Sequence, residues 1–298
     1  MLNNTLVHYG YLQPTELNLI KNLAKEYNLT FQHEGIKKIV ARNLESPNRS
    51  FAAFANTAKY ANFMVIWGGN QCYGPLVTRL CEAKGIPKIY IEWGMLPQNE
   101  NFFIDPCGFC GDSILNSNLD WIEDRDMNRL YEKREQLQKI YTIENHEYIL
   151  VPMQLNNDAQ VLYYSKYKNM NDFIEDLLLM YPNNKIILKP HPKAGTDIPA
   201  FYNSLNKNIK HYNLSIADAN CDFMHLASKA MFIVGLTSTT LYESAVLGKD
   251  VIVIGDHPLK TFHDQIDKVL AGALFLNIDR QTGTLKPILD RFGIVPLK

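Results

Sequence analysis

Tyr148-Ile149-Leu150-Val151-Pro152-Met153-Gln154-Leu155-Asn156-Asn157-Asp158 is the stretch from which the rest of the chain is read. Its first five residues form a continuous apolar run, as expected of a parallel strand buried on both faces. A glutamine and an aspartate follow at once. Two other stretches share this layout. Lys185-Ile186-Ile187-Leu188 leads into Lys189-Pro190-His191-Pro192, and Ala230-Met231-Phe232-Ile233-Val234 leads into Thr237-Ser238-Thr239-Thr240. In a parallel α/β sheet, chain leaving the carboxyl ends of the strands lines the ligand crevice. One carboxylate, one imidazole and a hydroxyl cluster are therefore expected to converge on one cleft. That set suits a nucleotide phosphate held beside a reactive carboxylate.

Outward from there, strands alternate with helices. Asp250-Val251-Ile252-Val253-Ile254 is a further strand closed by Gly255, and helices are expected over Asn171 to Tyr181 and Tyr242 to Leu247, the latter stopped by Gly248. The first half repeats the pattern. Thr5 to Tyr9 and Phe63 to Trp67 read as strands, the second closed by Gly68-Gly69, and Lys88-Ile89-Tyr90-Ile91 is followed immediately by Glu92. Glu16 to Tyr27 has helical spacing with Thr15 as its N-cap, and Pro75 to Lys84 is a second helix. The charged amphipathic stretch from Trp121 to Ile140 is the expected connection between halves. The chain contains neither G-x-G-x-x-G nor G-x-x-x-x-G-K-[ST], which weakens oxidoreductase and NTPase readings. The expected fold is α/β: two facing Rossmann-like domains, GT-B-like, with the active site in the inter-domain cleft. Residues 1–145 would form the acceptor-side domain and residues 146–298 the donor-binding one.

Composition agrees. A chain of 298 residues fits two cores, each of roughly 150 residues. With 46% hydrophobic and 20% charged residues and a net charge of −1, it is neither a disordered chain nor a polybasic nucleic-acid binder. No apolar stretch reaches the roughly 18–20 residues of a membrane span, and Met1-Leu2-Asn3-Asn4-Thr5 lacks signal-peptide character. A cytoplasmic location is expected, compatible with peripheral association at the inner face of the inner membrane. The five cysteines are an odd number, against a disulfide framework. Cys72, Cys81 and Cys221 are isolated; Cys107-Gly108-Phe109-Cys110 lacks the second ligand pair of a structural zinc site and reads as turn cysteines.

The ordered motifs resemble the retaining β-Kdo transferases of bacterial capsule and lipopolysaccharide synthesis. Those carrying the resemblance are Gln154…Asp158, Lys189-Pro190-His191-Pro192 and Thr237-Ser238…Glu243…Leu247-Gly248-Lys249, with Ile66-Trp67-Gly68 and Ile89-Tyr90-Ile91-Glu92-Trp93-Gly94 in the first half. The resemblance covers roughly residues 60–265 and is sharpest at 149–192 and 233–255. It implies that Asp158 is the catalytic nucleophile. It also implies that Gln154, Lys189, His191, Pro192, Thr237, Ser238, Thr239, Thr240 and Glu243 belong to the donor site for CMP-Kdo or a related CMP-linked acidic sugar. The acceptor would be a glycan or lipid-linked glycan. Two departures stand out: Trp93 replaces a more usual acidic residue and the Arg-Ser after it is absent, and Lys249-Asp250 replaces Lys-Pro.

The chemistry can be argued without the family. A CMP-activated 2-keto acid carries a single phosphate on a tertiary anomeric carbon, and its leaving group departs without a strong general acid. With no diphosphate to clamp, no metal is expected. A cationic imidazole at His191, hydroxyls at Ser238–Thr240 and backbone N–H groups at a helix start would hold the phosphate. Glu243 would accept from ribose hydroxyls, Asp158 would form a covalent glycosyl ester, and Glu92 would deprotonate the acceptor. Each assignment has a plainer reading. Asp158 caps a helix, His191 fills a turn, Thr237–Thr240 is a Ser/Thr cap, and Glu92 belongs to an ion pair. His8, His257 and His263 read as surface or packing residues, and Asp124-Arg125-Asp126 as a solvated helix face. Two other function classes stay open: a CMP-releasing polyol-phosphate transferase of the teichoic-acid type, and a non-catalytic nucleotide-sugar-binding protein.

Overall fold

The structure is a computed structural model and describes residues 5–10, 14–34, 55, 58–69, 74–156, 158–193 and 213–297. Asn157 and Cys72 lie outside these residues. The chain forms two compact units, 1–121 with 273–298, and 122–272. This division differs from the boundary expected at 145/146 at both ends. The charged helix groups with the second unit, and the last 26 residues return to the first.

In the first unit the strands are β1 (Thr5–Tyr9), β2 (Thr30–Glu34), β3 (Phe63–Trp67), β4 (Lys88–Trp93), β5 (Asn101–Asp105) and β11 (Asn277–Asp279). Among the described residues they form one sheet in the order β11-β5-β4-β3-β1-β2. Strands β2, β1, β3 and β4 are parallel, while β5 and β11 are antiparallel additions. β1 and β3 are buried along their whole length; β3 is an unbroken apolar run, while β1 also buries Thr5 and His8. Helix α1 (Pro14–Glu26) buries Leu19, Ile20, Leu23 and Ala24 at helical spacing. Pro14 heads this helix, so Thr15 sits inside its first turn and is not its cap. α2 (Gly74–Lys84) follows β3. Strand β11 explains the returning segment. Leu276 accepts from Ile104 N–H at 2.8 Å, and the Asn277 amide bonds both the N–H and the carbonyl of Met95 at 2.9 Å.

The second unit has α3 (Asp124–Ile140), β6 (Tyr148–Pro152), α4 (Ala159–Tyr164), α5 (Met170–Met180) and β7 (Lys185–Lys189). These are followed by β8 (Leu214–Ile216), α6 (Phe223–Lys229), β9 (Phe232–Gly235), α7 (Thr239–Leu247), β10 (Val251–Val253), α8 (Pro258–Thr261) and α9 (Ile266–Phe275). Its sheet is parallel throughout, in the order β10-β9-β6-β7-β8. Read outward from β6, this is the doubly wound nucleotide-binding order, which reverses between β6 and β9. Phe173, Ile174, Leu177 and Leu178 of α5 pack with Ile149 and Val151 in one core cluster. Burial of each such side chain contributes about 1.5–3 kcal/mol relative to exposure. In α3, Asp126 is buried and accepts the Glu123 backbone N–H at 3.0 Å. The Asp124-Arg125-Asp126 spacing is therefore partly a helix cap, not wholly a solvated face. Arg134 of α3 bonds Asp267 at 2.7 Å and the Val246 carbonyl at 3.1 Å, which ties this helix to α7 and α9.

Candidate active site

The site is built where the second sheet reverses. The chain leaving β6 carries Gln154 and Asp158, and that leaving β9 carries Thr237 to Thr240. Because β6 lies between β9 and β7, Asp158 falls between the threonine cluster and His191.

Asp158 is the N-cap of α4, its Oδ1 accepting the Gln160 N–H at 2.9 Å. The cap reading is therefore correct, but it uses only that oxygen; Oδ2 meets the Gln154 amide nitrogen at 3.4 Å. Gln154 is 8% exposed and faces inward. The Thr237 backbone N–H donates to its Oε1 at 3.2 Å, and the Thr237 hydroxyl lies 3.2 Å from both ends of the amide. Only the amide oxygen can accept from an N–H, so its orientation is fixed with Nε2 toward Asp158.

His191 is half-buried in the turn after β7. Its Nδ1 accepts the Lys193 backbone N–H at 3.1 Å, so the neutral ring carries its proton on Nε2. Burial and then the Lys193 ammonium hold its pKa below the usual value, against the pull of the Asp158 carboxylate. With Nδ1 accepting in the neutral form, the ring has Nε2–H to donate to a ligand whichever charge state it takes. Lys189 is buried, and its ammonium donates to the carbonyls of Pro190 at 3.1 Å and Ala219 at 2.7 Å. It braces the turn that presents His191-Pro192, a different part from the donor contact implied by the resemblance.

Ser238 caps α7, its Oγ accepting from Thr240 N and lying 2.7 Å from the Thr240 hydroxyl. Thr239 is the first residue of the helix, so its N–H is among those left open at a helix start. Gly248 ends α7 at φ 99°, a conformation that favours glycine. Lys249, which the resemblance shares, turns back to the Glu144 carbonyl at 2.9 Å and Asn145 Oδ1 at 2.8 Å and so serves packing. His257 is a buried cap of α8 against the Tyr242 ring, its pKa lowered by burial to about 3.

Sequence reading missed Tyr141, which feels the Glu243 charge, and its partner Asp222. The Tyr141 hydroxyl, raised in pKa by burial, then by Asp222, and also by Glu243, hydrogen-bonds Asp222. Asp222 in turn caps α6 through Met224 N–H at 2.8 Å. An aspartate before an apolar run was a readable cap signal; Tyr141, arriving from α3, had none.

In the first unit Glu92 lies inside β4, one residue from its end, half-buried and paired with Phe103. Trp93 points to the other face, edge-on to Trp67 with centroids 5.2 Å apart, and the Arg280 guanidinium lies 4.3 Å over its ring. This packing accounts for a tryptophan where the family has an acid. His8 and Glu16 form a fully buried pair at 2.9 Å. The Cys107 and Gly108 N–H groups, the Ile114 N–H and the Ser113 hydroxyl all donate to Asp105, so Cys107-Gly108-Phe109-Cys110 is a turn wrapped on a buried carboxylate.

Two Rossmann-like α/β units are the architecture of GT-B-like glycosyltransferases. Residues 116–259 match the family model described as capsule polysaccharide biosynthesis protein, in keeping with the capsule-synthesis part of the resemblance. Protein FixF of Sinorhizobium fredii is 25% identical over 189 residues, 59% of this chain; the match spans 45% of that relative. Among solved structures, the β-Kdo 2,7 transferase of Thermosulfurimonas dismutans KpsC superposes with a TM-score of 0.61 at 17% identity, covering 93% of this chain and 92% of that one. The β-Kdo 2,4 transferase of the same protein gives 0.58 at 17% identity, covering 95% of each chain. Among the described residues, no helix is long and apolar enough to cross a membrane.

Proposed function

We propose that this chain is a retaining glycosyltransferase that moves Kdo, or a related acidic sugar, from a CMP-activated donor to a surface-glycan acceptor. The observation that carries the reading is the Asp158 carboxylate at the reversal of the second sheet. One oxygen is held by a helix N–H and the other is turned to a side-chain amide. Its neighbours on the flanking strand ends are an imidazole with Nε2 open to donate and a capped helix start. The His191 Nε2–H, the Ser238–Thr240 hydroxyls and the open N–H groups of α7 supply donors for one phosphate. Glu243, beside Tyr141, is the candidate partner for ribose hydroxyls. Both solved relatives being β-Kdo transferases supports the same donor class.

In the first step an Asp158 oxygen forms a bond to the anomeric carbon as the bond to the CMP phosphate breaks, the electron pair leaving with CMP. In the second, an acceptor hydroxyl displaces the carboxylate and gives its proton to a base, for which Glu92 is the candidate. Two inversions give net retention. A single-phosphate donor gives a divalent ion no diphosphate to clamp, so transfer is expected to survive EDTA. The test is incubation with CMP-Kdo alone, followed by intact-protein mass spectrometry. A sugar-sized increase on the peptide spanning Gln154 to Gln160 supports the reading. CMP release from CMP-Kdo without any adduct overturns the covalent intermediate, and CMP release from CDP-glycerol but not from CMP-Kdo favours the polyol-phosphate alternative. Binding without release favours the non-catalytic one.

A further inference from the structure

We infer that Gln154 is a positioning residue that selects which oxygen of Asp158 attacks, and that Thr237 holds it to that task. The inference rests on the reading of Asp158 as nucleophile. The Gln154 amide bridges the two strand ends at which the second sheet reverses: Thr237 N–H fixes its Oε1 from the β9 side, and its Nε2 faces Asp158 Oδ2 on the β6 side. It is nine-tenths buried, so it is not free to turn toward a nucleotide. The other oxygen, Oδ1, is committed to the Gln160 N–H.

The two oxygens are therefore inequivalent. Oδ1 becomes the carbonyl oxygen of the glycosyl ester and keeps its helix N–H bond. Oδ2 uses one lone pair on Gln154 and another on the anomeric carbon. As the Oδ2–carbon bond forms, the phosphate–carbon bond breaks and no proton moves. When the acceptor oxygen displaces Oδ2, negative charge returns to that atom and the Gln154 N–H group is already in place to receive it. The amide thus matters most when the ester is discharged, since a charged oxygen is the stronger acceptor. The two earlier readings of Asp158, cap and nucleophile, become the separate duties of its two oxygens.

Gln154→Glu tests this with little change of volume. The Thr237 N–H bond survives, but a carboxylate now faces Oδ2. Like charges so close raise the macroscopic pKa of the pair by about one to two units. Carbon-13 titration of the Asp158 carboxyl, which needs no substrate, should show that rise. The acid limb of adduct formation with CMP-Kdo should move up by the same amount, recovering at higher pH, whereas a merely structural defect would lower the rate equally at every pH. Thr237→Val, which keeps the N–H and removes the hydroxyl, is the second variant should Gln154→Glu fold poorly. It should slow adduct discharge by roughly threefold to tenfold, about one hydrogen bond. An unshifted Asp158 titration in Gln154→Glu, or an unchanged discharge rate in Thr237→Val, overturns the positioning role while leaving the wild-type adduct to stand. Absence of any wild-type adduct overturns the nucleophile reading and this inference with it.

Discussion

The two sheets reverse their strand order at different places, and the chemistry at the two reversals is opposite. In the second unit the reversal lies between β6 and β9 and is polar, with Gln154, Asp158 and Thr237 hydrogen-bonded across it. In the first unit it lies between β1 and β3 and is packed. Gly10 follows β1 at φ 118°, and a Cβ there would come within 2.6 Å of the Trp67 Cβ. Ligands in open α/β sheets sit at such reversals, so a shared topology does not give the units equal roles. The difference supports nucleotide binding by the second unit.

The sharpest way to break this contrast is Asp158→Asn. Asparagine caps a helix about as well as aspartate, so thermal stability and CMP affinity should stay near wild type. Transfer should fall at least about a thousandfold, in keeping with loss of a covalent nucleophile. Turnover within tenfold of wild type would reduce Asp158 to a cap and the polar reversal to scaffolding.

Glu92→Gln probes the other side of the comparison. Adduct formation with CMP-Kdo should proceed at the wild-type rate, and its discharge to acceptor should slow by roughly a hundredfold or more, the usual scale of a lost general base. Quenched-flow mass spectrometry follows both steps. An unaffected discharge would remove the first unit from the chemistry.

What could be read from sequence divides along the same line. β3 and β6 are unbroken apolar runs, legible because burial on both faces imposes that composition; β1 and β7 have short apolar cores among polar residues and were legible from the glycine or polar motif that closes them. β2, β5, β8 and β11 were not legible. β8 and β11 are three residues long, too short for a period. β5 is Asn101-Phe102-Phe103-Ile104-Asp105, with only three apolar residues between polar ends, too few for a period. The unit boundary was lost with β11, because nothing local in Asn277-Ile278-Asp279 marks it for a distant partner. The phosphate-side residues were legible because a cap, a turn and a hydroxyl cluster are local devices. The Gln154 clamp and the Tyr141–Asp222 contact were not, since each joins residues far apart in the chain.

Gly10→Ala sharpens the contrast from the packed side. A methyl group at positive φ, against Trp67, should cost about 1–3 kcal/mol by overpacking and strain, visible as a lower urea midpoint. CMP affinity, belonging to the other unit, should be unchanged. Weakening of CMP binding in step with stability would mean that the two reversals do not act separately.

His191→Ala, with an effect on CMP binding well below that of Asp158→Asn on transfer, tests the phosphate side. Nδ1 accepts from Lys193 N–H, so the residue has only Nε2–H to offer a phosphate. One hydrogen bond to a charged group contributes about 1.5–3 kcal/mol. CMP should therefore bind roughly tenfold to a hundredfold more weakly, while cytidine, which lacks the phosphate, should bind as before. The ring's lowered pKa adds a sign that can be checked by titration. Because the folded protein favours the neutral form, the stability from His191 is present above its ordinary pKa of about 6.5. It is lost as pH falls through the lower folded value. Wild-type stability should thus drop slightly more than that of His191→Ala on acidification below pH 6.5, and a steeper acid loss in the variant would mean the ring is charged in the folded state. If CMP and cytidine weaken together, His191 holds the turn after β7 and not the phosphate, and the helix start at Ser238 would be the principal anion site.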